Sequence, residues 1–289
     1  MRAVVTLTPT ESKKLIAQAV VQTPEVARAR EKGEVAIHPS TTTFFVFEEL
    51  TGARPETEVW LCGAIVPKGL CAEWGSYMQL TRGAEYLAKP GGFPHSWIIK
   101  DDRLQPQKTI DELCQTLGPD DVYVKSGNAL DPEHNVGVLI GSMAEGTIAR
   151  IAAASKKRGF PIVLPMGLEK LIPIPITQAS RALGSGHKLD YSMGLRCGLL
   201  PVPGTTVTEI EALKILAGVE VSPIAAGGVG GAEGSIVLLL SGEKKKVGKA
   251  IEAVEAVKGA SLPAVRTPDC QTCVAGAVCQ MAGHPKSWC

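Results

Sequence analysis

Apolar residues gather in short runs separated by polar turns that carry glycine and proline, and the most regular pattern lies between residues 121 and 164. Residues 121–125 (DVYVK) are short and β-rich, and Ser126-Gly127-Asn128 breaks the run with residues that tolerate turn conformations. A polar loop over residues 131–135 leads to a second apolar run, 136–140, which ends at Gly141-Ser142. Apolar positions at Ile148, Ile151, Ala152 and Ala154 predict a helix that stops at Lys156-Lys157-Arg158-Gly159. Residues 160–164 then read as a buried strand. A polar loop and a helix N-terminus at strand ends suit a small anion.

Nearer the N-terminus, residues 11–21 predict a helix and residues 34–37 a strand. His38-Pro39-Ser40-Thr41-Thr42-Thr43 then leads into a helix over 44–50. The pattern changes after Leu183. A polar connector covers 184–193, a strand is expected over 195–202, and a helix over 205–217 with Thr205 or Thr206 as its cap. Residues 219–226 and 235–241 predict two strands joined by a glycine-rich loop. A helix over 243–258 follows, with an apolar face at Val247, Ala250, Ile251, Val254 and Val257, and residues 262–265 are expected to form an edge strand. That order, β-α-β-β-α-β, is the ferredoxin-like arrangement.

The segment Ser126-Gly127-Asn128-Ala129-Leu130-Asp131, with the later Gly141-Ser142-Met143-Ala144-Glu145-Gly146-Thr147, resembles the superfamily of ribose-5-phosphate isomerase A, the CoA transferases, the effector domains of sugar-responsive repressors and the translation initiation factor 2B-like isomerases. The turn at residues 38–43 resembles that superfamily's Gly/Ser/Thr turn, which contacts substrate phosphate or hydroxyls. The resemblance spans roughly residues 10–180. It implies a Rossmann-like parallel sheet over 1–183 of the ribose phosphate isomerase/CoA transferase type, followed by a small α+β ferredoxin-like domain over 194–266 and a Cys-rich tail over 267–289. It also implies ligand contacts from Ser40, Thr41, Thr42, Thr43, Lys125, Gly127, Asn128, Gly141, Ser142, Gly146 and Thr147.

The departures from the family matter as much. The ribose phosphate isomerase carries acidic residues where Lys125 and Asn128 stand, and the factor 2B-like isomerases need an aspartate at Asn128. An amide has no useful pKa near neutrality, so Asn128 cannot replace a general base, although it can donate and accept hydrogen bonds to a ligand. Asp131, His134 and Glu145 remain as candidate catalytic groups. Glu145 stands in a predicted first helical turn, where the helix dipole favours its ionised form, and CoA transferases of this type use a glutamate nucleophile. Its surroundings do not match their glutamate motifs closely, and an acidic residue there is also ordinary capping.

Composition narrows the partners. The net charge of +1 over 289 residues gives no electrostatic footprint for nucleic acid. Lys244-Lys245-Lys246 reads as a solvated helix face. No apolar run approaches the ~20 residues that span a bilayer, and MRAVVTLTPTESKK has no apolar signal core, so no membrane partner and a cytoplasmic location are expected. The loop 227–234 lacks the Gly-Lys-Ser/Thr ending of a P-loop. It is expected to be a hairpin connection, and no nucleotide cofactor is expected. Ferredoxin-like units commonly pair, so a homo-oligomer is expected.

Four of the eight cysteines fall in the last twenty residues, as C-x2-C-x5-C-x9-C: Cys270, Cys273, Cys279 and Cys289. A C-x2-C pair brings two thiolates to one ion across a tight turn. Thiolates select zinc or an iron–sulfur cluster, so a [4Fe–4S] cluster or zinc is expected, with Cys289 or His284 as fourth ligand. Disulfides and a redox thiol pair are the alternatives. Cys62, Cys114 and Cys197 read as small core hydrophobes. Cys71, in a more polar stretch, is a candidate pocket residue, as is His95.

Three functions fit this pattern. The protein is a regulatory or sensor-like binder of a phosphorylated or carboxylated metabolite, an isomerase or acyl/CoA transferase variant on the same pocket, or a redox or assembly partner acting through its tail. The missing acid/base pair favours the first.

Overall fold

A computed structural model of the chain describes residues 1–54, 62–72, 96–141, 146–184, 189–263, 269–273, 279–284 and 286–287. The chain runs β1 (Arg2–Leu7), α1 (Pro9–Val20), α2 (Pro24–Lys32), β2 (Val35–Ile37), α3 (Thr43–Thr51), β3 (Cys62–Val66) and β4 (Gly69–Ala72). It continues through β5 (Trp97–Lys100), β6 (Arg103–Gln105), α4 (Ile110–Thr116), β7 (Val122–Val124), β8 (Ala129–Leu130), β9 (Val136–Ile140), α5 (Thr147–Arg158) and β10 (Ile162–Pro165). A 3-10 turn (Leu168–Lys170) precedes α6 (Ile176–Leu183), β11 (Gly198–Val202), β12 (Thr205–Val207), α7 (Glu209–Ala217), β13 (Glu220–Gly227), β14 (Ser235–Ser241) and α8 (Lys244–Ala256).

The architecture is mixed α/β. A six-stranded sheet of order β12-β10-β7-β2-β5-β6 has its first four strands parallel and closes with an antiparallel β5–β6 edge. β2, β7 and β10 are buried at every position, as expected where helices cover both faces of a parallel sheet. α1 packs against β10 and β12, and α2 against β2 and β7. One hydrophobic cluster runs from Leu7 to Val257 and includes Phe44, Tyr123, Phe160 and Leu238. No helix of the described residues is long and apolar enough to cross a membrane.

Local chemistry explains the element ends. Thr8/Glu11, Thr109/Glu112 and Thr208/Glu211 form capping boxes at the starts of α1, α4 and α7. Gly159 ends α5 in the left-handed conformation (φ 84°), which glycine adopts without Cβ strain.

The second half differs from the expected β-α-β-β-α-β unit. Gly198–Val202 pairs antiparallel with β9, in a three-stranded sheet β11-β9-β8. Thr205-Thr206-Val207, expected to open a helix, is a strand parallel to β10. Its β-branched residues favour extended backbone, and the helix begins only after the Thr208 cap. β13 and β14 form the expected hairpin, with a bulge between Pro223 and Ala225, but their third strand is β1 from the N-terminus. Leu262 and Pro263 lie outside any strand, and residues 264 and 265 fall outside the described residues.

Candidate functional site

A cavity of about 440 Å³ opens at the carboxyl ends of β2, β7 and β10. His38–Thr41 follow β2, Lys125–Asn128 follow β7, and Glu169–Ile172 follow β10. Lys13 of α1 and Ala64 and Ile65 of β3 complete the wall. From β2 the chain moves to the β5 side of the sheet, and from β7 to the β10 side. The two connections diverge and leave a crevice, the usual place for a ligand on a parallel sheet.

Backbone geometry shapes the floor. Gly127 donates its N–H to Met166 Sδ at 3.0 Å, and a Cβ there would stand 2.4 Å from Val136 Cγ1. The site therefore requires glycine at 127. Asn128 N donates to Gly137 O at 2.8 Å while its Oδ1 accepts from Leu139 N at 3.0 Å, which locks the loop to β9. On the β2 side, Thr43 Oγ1 donates to His38 O at 2.6 Å, and Tyr123 Oη shares a hydrogen bond of 3.2 Å with His38 Nδ1. Burial pushes the Tyr123 phenol up, so it stays protonated.

Charge is concentrated on the β10 side. Lys170 Nζ donates to Ser126 Oγ at 2.8 Å and to Gly127 O at 2.9 Å. Its desolvation, with Lys13 adding to it and Glu169 and Glu209 opposing, brings the ammonium down to about 8. Lys13 Nζ pairs with Glu169 Oε1 at 3.0 Å, and the buried Oε2 of Glu169 accepts no hydrogen bond. Behind them Glu209 is 0% exposed and accepts from Leu168 N at 2.9 Å. Desolvation raises its carboxyl to about 7, against a hydrogen bond from Ser12, and the neighbouring Glu169 charge adds to the rise.

The residues expected from the sequence separate into three groups. Ser40, Thr41, Lys125, Gly127 and Asn128 line the cavity. Thr42 and Thr43 are fully buried beneath it, Thr42 Oγ1 without a hydrogen-bond partner. Gly141 is exposed, and Gly146 and Thr147 are the cap and first residue of α5; none of the three lines the cavity. Ser142, Glu145, His95 and Cys289 lie outside the described residues.

Asp131 is a clamp rather than a wall residue. Its carboxylate accepts from Glu133 N (3.1 Å), Asn135 N (2.8 Å), Asn135 Nδ2 and Ile176 N (3.0 Å), tying its own loop to the start of α6. Burial works to raise its pKa, but these donors outweigh it and hold the carboxyl below the usual range. His134 has φ 62° and pairs through Nδ1 with Glu211 at 3.3 Å, away from the cavity wall. Lys13, Glu169 and Lys170 were not among the residues expected from the sequence.

The described cysteines Cys71, Cys114, Cys197, Cys270, Cys273 and Cys279 are thiols. Among the described residues, no three His, Cys, Asp or Glu side chains stand together at metal-ligand separations. The tail is docked nonetheless: Ser192 N donates to Gln280 Oε1 at 2.9 Å, Gly283 N to Cys270 O at 2.8 Å, and Met281 is buried. Comparison of the chain with protein-family models, curated proteins and solved structures finds no match.

Proposed function

We propose that this protein binds a small phosphorylated or carboxylated metabolite in the cavity at the carboxyl ends of β2, β7 and β10, in a regulatory or sensor-like role. The observation that carries the reading is the charge of the wall. Three lysines, Lys13, Lys125 and Lys170, face one carboxylate, Glu169, a net of +2 when all four are ionised (three minus one). Ser40, Thr41, Ser126 and Asn128 add hydroxyl and amide groups suited to phosphate or carboxylate oxygens. The volume of about 440 Å³ falls in the range of small-molecule pockets. The same reading takes the parallel sheet as Rossmann-like, of the ribose phosphate isomerase/CoA transferase type.

A thiolate-bound metal in the tail, zinc or a [4Fe–4S] cluster on Cys270, Cys273, Cys279 and Cys289, belongs to this proposal, as do a cytoplasmic location and a homo-oligomer. The oligomer is supported by β13, a sheet-edge strand exposed along most of its length with Ile224 53% exposed.

Titration calorimetry with inorganic phosphate, a sugar phosphate, a short carboxylate and a neutral polyol tests the binding reading. The anions are expected to bind more tightly than the polyol and to weaken with added salt. Equal binding of the polyol, or no binding of any anion, rejects it.

A second reading rests on Lys170. An amine brought down to about 8 is partly unprotonated at mildly alkaline pH and can take a proton or attack a carbonyl. On that reading the cavity is the active site of an isomerase or an acyl/CoA transferase variant. Turnover of sugar phosphates or acyl-CoA, rising with pH through 8 and lost in Lys170→Met, would place it first.

A further inference from the structure

The β3–β4 hairpin carries both a wall of the cavity and a thiol. Ala64 lines the cavity, and Cys71 stands directly across the hairpin from it. In an antiparallel pair, opposed residues project from the same face. The hairpin also packs backbone to backbone on residues 193–195: Leu70 N donates to Met193 O at 2.9 Å, and Leu195 N donates to Leu70 O at 2.8 Å. Gly69 and Gly194 permit this approach, since a Cβ on Gly194 would fall 1.9 Å from Leu70 O and one on Gly69 2.2 Å from Met193 O. On its other side the same segment bridges the tail, Leu195 pairing antiparallel with Cys279. Residues 193–195 thus form a central rung, with Cys71 beside the rung's partner on one edge and Cys279 on the other. Two ladder spacings of about 4.8 Å separate those edges.

The rest of the tail folds toward the same place. The hydrogen bond from Gly283 N to Cys270 O closes the tail on itself, and Gln280 Nε2 donates to Asp190 O at 3.2 Å. The thiols of Cys270, Cys279 and Cys273 stand within electrostatic range of Cys71. All four cysteines are half-buried thiols.

We propose that Cys71, Cys270, Cys273 and Cys279 together form a four-thiolate site for a soft metal, zinc or an iron–sulfur cluster, which staples the cavity hairpin to the tail. This rests on the reading of the tail as a metal site and replaces Cys289 as its fourth ligand. Four sulfur ligands suit zinc or an iron–sulfur centre and few other biological metals. The four side chains do not stand at ligand separations, so metal binding requires rotation about χ1 and adjustment of the tail. Binding displaces the thiol protons, because the metal's positive charge stabilises the thiolates. The site joins residues about two hundred positions apart in sequence, and its consequence is mechanical: metal holds Ala64 and Ile65 against the cavity mouth.

The test uses the full chain, purified anaerobically, as wild type and as Cys71→Ser, Cys71→His, Cys270→Ser and Cys289→Ser. Elemental analysis for zinc, iron and sulfide identifies the native metal. Cobalt titration of the metal-free protein reads the number of thiolates from the sulfur-to-metal charge-transfer band. Outer-sphere partners of metal ligands are worth about 10- to 100-fold in affinity, so loss of a ligand is expected to cost at least about 100-fold. Cys71→Ser and Cys270→Ser are expected to show that loss, Cys289→Ser to bind as wild type, and Cys71→His to keep the metal with a charge-transfer band reduced toward three thiolates. The histidine variant separates a lost ligand from a lost fold. Wild-type affinity and band intensity in Cys71→Ser, with loss in Cys289→Ser, would overturn the role of Cys71 and leave the tail metal site standing. A wild type that binds neither metal would overturn both readings, and mass spectrometry showing Cys71 in a disulfide would replace the metal with a covalent staple.

Discussion

Two buried carboxylates in this protein meet opposite fates. Asp131 is 1% exposed and Glu209 is 0% exposed, yet the first is held below the ordinary carboxylate range and the second is raised to about 7. Burial is the largest influence on both and pushes both upward. Depth, donors and neighbouring charge together make the difference, for Glu209 lies much deeper in the protein than Asp131. Asp131 receives three backbone N–H groups and the Asn135 amide, and its nearby loop is shaped to supply them. Glu209 has the Leu168 N–H, its own backbone N–H and a bond from Ser12, and the charge of Glu169 lies close by. The donor-rich carboxylate becomes a structural tie. The deeper one, set behind Glu169 and Lys170 at the cavity, keeps a pKa that responds to physiological pH.

Removing the tie is the first way to break the contrast. Asp131→Ala leaves the buried Ile176 amide without its acceptor, at a cost of about 1–3 kcal/mol, while the amides of the exposed Glu133 and Asn135 turn to water. A loss of about 1–3 kcal/mol is expected in denaturant unfolding, with Asp131→Asn losing less because it keeps one acceptor oxygen. An Asp131→Ala protein as stable as wild type would remove the clamp from the account.

The cavity side comes next. Lys170→Met is expected to weaken binding of inorganic phosphate by about 10- to 100-fold, the worth of one charge-assisted hydrogen bond of about 1.5–3 kcal/mol. Calorimetry at fixed salt measures it. An unchanged affinity would mean that the ligand does not reach the β10 side of the cavity.

The pH dependence of stability separates the two carboxylates, which predict opposite slopes. Glu209 has a folded pKa of about 7 against a model value of 4.5. The folded state therefore holds the proton more tightly, and its contribution to stability falls as pH rises from 4.5 through 7. Glu209→Gln is expected to flatten that fall in unfolding curves taken across the window. Asp131 works the other way: its contribution is present above 3.8 and is lost as pH drops below that value. Lys170, lowered to about 8 from 10.5, adds stability as pH rises from 8 to 10.5. A Glu209→Gln protein with the wild-type slope between pH 4.5 and 7 would contradict the assignment.

The same contrast shows what the sequence could and could not disclose. The turns after β2 and β7 were legible because a short buried strand followed by small polar residues is a local pattern, and Ser40, Thr41, Lys125, Gly127 and Asn128, the contacts that the family resemblance implied there, line the cavity. Glu169 and Lys170 stand in the equivalent place after the buried run 162–165. The signal was there, but a Glu-Lys pair reads as surface. Lys13, on a helix, had no such marker. The long-range pairings were invisible for a different reason. β1 finds β14 more than two hundred residues later, and β11 leaves its sequence neighbours for β9. Neither choice is encoded in a local window. Asp131 drew attention by its motif, and the ligands of its carboxylate, above all Ile176 N, lie too far along the chain for spacing to reveal.

The most direct measurement is a pH titration of carboxyl-carbon chemical shifts in protein labelled at Asp and Glu, with Asp131→Asn and Glu209→Gln to assign the two signals. Glu209 is expected to titrate near 7 and Asp131 to stay ionised down through 3.8. Two carboxyls titrating together between 4 and 5 would show that depth, donors and the Glu169 charge do not divide them, and the cavity's poised charge would lose its basis.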